Sequence, residues 1–121
     1  MKLKIIGIRD AGKLQDERVV FEAEGDGNVG RYIVLISRLI GENTISSRVQ
    51  YPYWFADKEV KNGDLVVLYT KIGQYNSVEN NNKSRSHFFY QGLESPLHAS
   101  ADSCVVLMDT APWSFSSKRI S

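Results

Sequence analysis

Two imidazoles, one thiol and a scatter of hydroxyls and carboxylates are the groups in this chain that could carry acid–base, nucleophilic or metal chemistry. His87 and His98 stand eleven residues apart, beside Phe88 and Pro96-Leu97 respectively, and no Cys or acidic residue accompanies them in a metal-ligand pattern. Cys104 is the only cysteine. It allows no intramolecular disulfide and no cysteine zinc cluster, and its place in Cys104-Val-Val-Leu-Met108 reads as a buried, inert thiol rather than a nucleophile. No Gly-x-Ser-x-Gly elbow is present to make a Ser-His-Asp triad credible. Gly25-Asp-Gly-Asn-Val-Gly30 lacks the glycine order that cradles phosphate, and Asp26 and Asn28 lack the later oxygen ligands of a calcium loop. No catalytic residue, metal or cofactor is therefore expected, and a small hydrolase or nuclease is the third of three readings.

Binding chemistry is better represented. Gln74 to Ser86 is strongly polar, with Asn80-Asn-Asn-Lys-Ser-Arg85 at its centre, and reads as a loop that is either functional or mobile. Tyr75, Lys83, Arg85, His87 and Tyr90 form its rim. Cations contacting phosphates and aromatics stacking on bases are the recipe for single-stranded nucleic acid, but the net charge of +1 supplies no global attraction to a polyanion. Tyr51-Pro-Tyr-Trp-Phe55 is the densest aromatic cluster. Either Trp54 and Phe55 plug one end of the core, or Tyr51 and Tyr53 project outward as a contact surface. A protein partner on the loop or an exposed sheet edge, including a second copy of the chain, is the first expectation, and nucleic acid is the second.

The elements that must position these groups are short and extended. Lys61-Asn-Gly-Asp-Leu-Val-Val-Leu-Tyr-Thr-Lys71 couples a turn dipeptide to an apolar, β-branched run and predicts a central strand covered on both faces. Leu3 to Ile8, Arg18 to Glu24, Ser86 to Gln91 and Val105 to Met108 predict further strands, with Val19, Phe21 and Ala23 facing inward. Gly25 to Asn28 predicts a hairpin between its flanking segments. Val29 to Ile40 has a helical rival reading, but Ile33, Val34 and Ile36 favour a buried strand, and Ile45 to Gln50 reads as a short edge strand. Trp113 and Phe115 are placed to fold back on the body, ahead of a flexible tail at 116–121. The whole of 1–121 is expected to form one all-β domain, an immunoglobulin-like sandwich of seven to eight short antiparallel strands. With 42% apolar and 24% charged residues it has ordinary globular composition. No apolar run approaches the ~18 residues of a membrane span, and the start of the chain does not read as a secretory signal. Cytoplasmic residence is the expectation.

Four segments resemble the successive strand motifs of lamin tail domains: Arg31-Tyr-Ile-Val-Leu-Ile-Ser37, Tyr53-Trp-Phe-Ala-Asp57, Val60-Lys-Asn-Gly-Asp-Leu-Val-Val-Leu68 and Asp102-Ser-Cys-Val-Val-Leu-Met-Asp109. The resemblance covers about residues 31–109. Arg31 stands where that family usually has an acidic residue and Ala56 where it has proline, and the long polar stretch after Gly73 is unusual for it. The resemblance implies an immunoglobulin-like sandwich that binds proteins or, in some members, nucleic acid, and it brings no catalytic residue.

Overall fold

The structure, a computed structural model, describes residues 1–121. The chain runs through β1 (Lys2–Arg9), β2 (Arg18–Glu24), β3 (Gly27–Asn28), a 3-10 turn at Val29–Arg31, β4 (Tyr32–Gly41), β5 (Thr44–Ile45), β6 (Gln50–Trp54), β7 (Glu59–Val60), β8 (Leu65–Tyr69), β9 (Asn76–Glu79), β10 (Arg85–Tyr90) and β11 (Ser103–Asp109). The fold is all-β. One sheet has the order β1-β2-β8-β10-β9, and in the second β4 is flanked by β11 on one side and by β5 and β6 on the other. The small β3–β7 pair lies outside both.

Alternation sets the faces. Val19, Phe21 and Ala23 of β2, Val66 and Leu68 of β8 and Phe89 of β10 join Tyr32 and Val34 of β4 in one buried cluster, with Val105 and Leu107 of β11 packed on it. Phe55, just past β6, meets Phe21 and Phe89 edge-on at centroid distances of 5.9 and 5.0 Å, arrangements worth about 0.5–1.5 kcal/mol beyond their buried area. The Tyr32 hydroxyl accepts the Leu3 N–H at 3.1 Å, tying the two sheets by a buried polar contact.

The Lys61 to Lys71 segment is central as expected: β8 lies between β2 and β10, and Val66, Val67 and Leu68 are buried. Gly63 takes φ +88° in the turn before it, a conformation that favours glycine. Other expectations are corrected. The sheets are not wholly antiparallel, because β10 runs parallel to β8. After β8 the chain crosses to the edge as β9, and the β9–β10 hairpin then slots β10 inward. That hairpin replaces the structureless loop expected at 74–86. Polar side chains there disguise strand residues, since β9 is an edge with three of its four residues exposed or solvent-facing at the sheet margin. The Gly25 to Asn28 turn is not a hairpin between its neighbours, because β2 and β4 belong to different sheets. Its own β3 pairs with β7 instead, and Asn62 bonds both Gly25 N and Asp26 Oδ1. Between Ile45 and Gln50 only the first residue is in a strand before β6 begins. Cys104 is half-buried rather than buried.

Candidate functional site

The seven residues singled out in the sequence do not form one surface. His87 does not sit on a loop rim. It faces the core side of β10 and is buried with Asp64, its Nε2 lying 2.8 Å from Asp64 Oδ2 and its Nδ1 2.8 Å from the Tyr75 hydroxyl. Asp64 also accepts the backbone N–H groups of Lys61 and Arg85 at 3.0 Å each. Since the carboxylate can only accept, the imidazole donates to it from Nε2, and Nδ1 shares the second hydrogen bond with the Tyr75 hydroxyl. Burial pushes the Asp64 carboxyl up, but the Lys61 and Arg85 amides and the His87 ring outweigh it and hold the group below its usual 3.8. No serine or thiol heads this chain of bonds. It fastens the turn before β8 to β10.

Tyr75 is capped by the Lys58 ammonium, 4.8 Å from its ring centroid, and packs on Phe89 at 5.0 Å. With Tyr53 and Tyr90 it lines a groove of about 330 Å³, so three of the seven converge. Tyr53 faces inward toward Phe55 at 5.2 Å rather than outward, and burial pushes its phenol pKa up. Tyr90 stacks on Tyr69 at 5.4 Å, and Gly73 lies so close against its ring that a Cβ there would fall 2.4 Å from it. Arg85 bonds Ser77 Oγ at 2.9 Å, and Lys83 takes φ +67° in the hairpin turn. These two cations therefore stand apart from the tyrosine groove. Tyr51 is half exposed and lines a separate cleft.

Glu17 carries no sequence signal and is fully buried. Its oxygens accept from Gly12 N, Leu97 N, His98 N and the Thr70 hydroxyl at 2.6–3.0 Å, joining the 10–17 turn, the end of β8 and the 93–98 connection. Burial pushes this carboxyl up, and those four donors more than offset it, so it lies below 4.5. His98 bonds Ser103 Oγ through Nδ1, and its buried Nε2 has no partner. Because Ser103 donates to the Leu97 carbonyl at 3.2 Å, its oxygen receives the Nδ1 hydrogen, and Nε2 is a bare lone pair. Ser103 is thus an acceptor toward the ring, the reverse of an activated nucleophile. Burial lowers the His98 pKa below 6.5 against the opposing pull of Glu17.

These three groups act in the same direction with pH. Each binds fewer protons folded than unfolded just below its ordinary pKa, so stability rises with pH across that interval. Denaturant titrations should find the protein at full stability above about pH 6.5, declining first as His98 is forced to charge. The decline should steepen below 4.5 and 3.8, where Glu17 and Asp64 begin to lose their advantage.

Two surfaces remain. The first is the outer side of the β6-β4-β11 sheet, where Trp54, Ile33 and Met108 form one row and Leu35 and Val106 the next. Trp54 is 45% and Met108 48% exposed. An antiparallel sheet with one solvated face ordinarily places polar side chains there. Trp113 crosses back to meet Trp54 at 4.6 Å, with Thr110 anchored on the Arg31 carbonyl at 2.7 Å, whereas Phe115, expected to fold back with it, stays exposed. The Trp113 path leads away from the free side of β11. Trp54 is consequently a surface residue and not a core plug, while Phe55 is one. The second surface is a cleft of about 480 Å³ where β4 and β11 leave the core, lined by Arg38, Arg48, Gln50 and Tyr51 among others. Its signal in the sequence is Arg38, one step beyond the inward series Tyr32, Val34 and Ile36.

No family model, curated protein sequence or solved structure matches the chain. No helix is long and apolar enough to cross a membrane.

Proposed function

We propose that the chain is a non-catalytic β-sandwich module for protein–protein interaction, and that the partner held at its β6-β4-β11 sheet is a second copy of itself, paired edge to edge through β11. The observation that carries this is the nature of that edge. A free strand edge is a template for another strand, and proteins blunt such edges with lysine, proline, bulges or brevity. The other main edges have these devices: β1 has Lys2, Lys4 and an irregularity between Ile5 and Gly7, β9 has four residues, β5 has two, and β6 has Pro52 and a bulge. β11 has none. It is seven residues long, regularly paired to β4 on one side only, and reads Ser-Cys-Val-Val-Leu-Met-Asp.

The strand is also self-complementary. In a two-fold antiparallel pairing of the whole segment, Val106 lies opposite Val106, Cys104 opposite Met108 and Ser103 opposite Asp109, so no like charges face each other. The apolar rows on the outer face then run on across the joint. The strand motifs shared with lamin tail domains agree with an immunoglobulin-like interaction module. Sedimentation equilibrium tests the reading. The wild-type chain should be a concentration-dependent dimer, and Val106→Lys, on the outer face, should weaken it at least about tenfold (~1.4 kcal/mol) while leaving the circular dichroism unchanged. A monomer at all concentrations would remove the proposal.

A further inference from the structure

We infer that the cleft at the mouth of the sandwich is a binding site for a phosphate monoester group. Arg38 continues the inward-facing series of β4, and its strand neighbour is Ser103 of β11. Its guanidinium therefore extends from the point where the core stops. Arg48 reaches the same cleft from the connection between β5 and β6. That connection is fixed from within: the Ser37 hydroxyl donates to the Ser46 carbonyl, and Ser46 Oγ accepts Arg48 N at 3.1 Å. Ser46 Oγ keeps its own hydrogen free for a ligand.

Neither guanidinium is committed. Arg18, Arg31 and Arg85 spend theirs on Asp10, Asp109 and Ser77, whereas the side chains of Arg38 and Arg48 have no hydrogen-bond partner and no carboxylate oxygen within 4.0 Å. Asp102 also lines the cleft, with one oxygen held by the Ser100 hydroxyl, so two cations face one anion. Tyr51 completes the wall. It occupies a bulge in β6, where Gln50 pairs with Ile36 and Tyr53 with Val34, and takes φ +52°, which is unusual for a bulky residue. Bulges re-aim side chains beside binding sites, and here the Tyr51 side chain lines the cleft while its carbonyl accepts from Gln91 Nε2 at 2.7 Å. Two planar forks with five donors each suit the three oxygens and nearly two charges of a phosphate monoester better than a single carboxylate.

Amide-resolved NMR titrations of the full chain test the site, using O-phosphoserine, adenosine monophosphate and inorganic phosphate as probes and serine as control. The expected result is saturable shifts at the amides of Arg38, Ser46, Arg48 and Tyr51 with the phosphate-bearing probes and none with serine. Arg38→Gln and Arg48→Gln should each weaken binding by about tenfold or more, with the remaining spectrum unchanged. Tighter binding of adenosine monophosphate than of O-phosphoserine would identify a nucleotide stacked on Tyr51, and the reverse order a phosphorylated side chain. Absence of saturable shifts in the wild type overturns the inference. So does the same response at Lys83 and Lys118, or an unchanged affinity when both arginines are replaced.

Discussion

Replacing Glu17 by alanine should lower the free energy of unfolding by about 3–5 kcal/mol, a loss that urea denaturation followed by tryptophan fluorescence would register directly. The magnitude comes from what is left behind. Four donors from three separate segments converge on this carboxylate, and alanine leaves the Leu97 and His98 amides, the Gly12 amide and the Thr70 hydroxyl without an acceptor inside the protein. Glutamine should recover little, because both oxygens of Glu17 already receive two donors each and an amide NH₂ in either position would face donors. The damage should extend to the cleft, since Leu97 lines it.

The second large effect is expected at Asp64. Its replacement by alanine leaves the buried His87 ring and the part-buried amides of Lys61 and Arg85 without their acceptor, a loss of about 3–5 kcal/mol at about 1–3 kcal/mol for each unsatisfied donor. His87→Phe fills the space with an apolar ring and should cost less. The two changes should not add: a double-mutant cycle should give a coupling of about 0.5–3 kcal/mol. Strict additivity would mean that the imidazole and carboxylate act independently. That outcome would contradict the role assigned to the Tyr75–His87–Asp64 chain, which is to fasten the turn before β8 to β10.

The sequence made the interior of this fold easier to read than its edges. Val19, Phe21 and Ala23 alternate cleanly because one face of β2 is buried. The β-branched run of β8 marks a strand flanked on both sides. What escaped was non-local. The parallel pairing of β8 and β10 depends on a crossing through β9, and the polar residues of an edge strand look the same as those of a loop. His87 reads as a loop-rim residue because its partner lies 23 positions away, at the end of a turn whose Asn-Gly signal outweighs the Asp that follows. Glu17 had no local signature at all, because its donors come from segments up to 81 residues distant. Tyr51 reads as an outward aromatic and is half exposed. Its neighbours Arg38, within β4, and Arg48, in the β5–β6 connection, are not recognisable as a pair in the sequence, because isolated arginines are ordinary solvated residues until the fold brings them to one cleft. The apolar content of β11 was legible as a core strand, but its place on an open edge was not.

The self-pairing of β11 is tested most directly by a charge exchange at its centre. In a two-fold pairing, residue 106 faces its own copy, so Val106→Lys and Val106→Glu should each sediment as monomers at concentrations where the wild type is dimeric. Mixed in equal amounts, the two variants should recover a dimer containing one chain of each. Dimers persisting in either variant alone, or a mixture that remains monomeric beside a dimeric wild type, would contradict pairing of β11 about Val106.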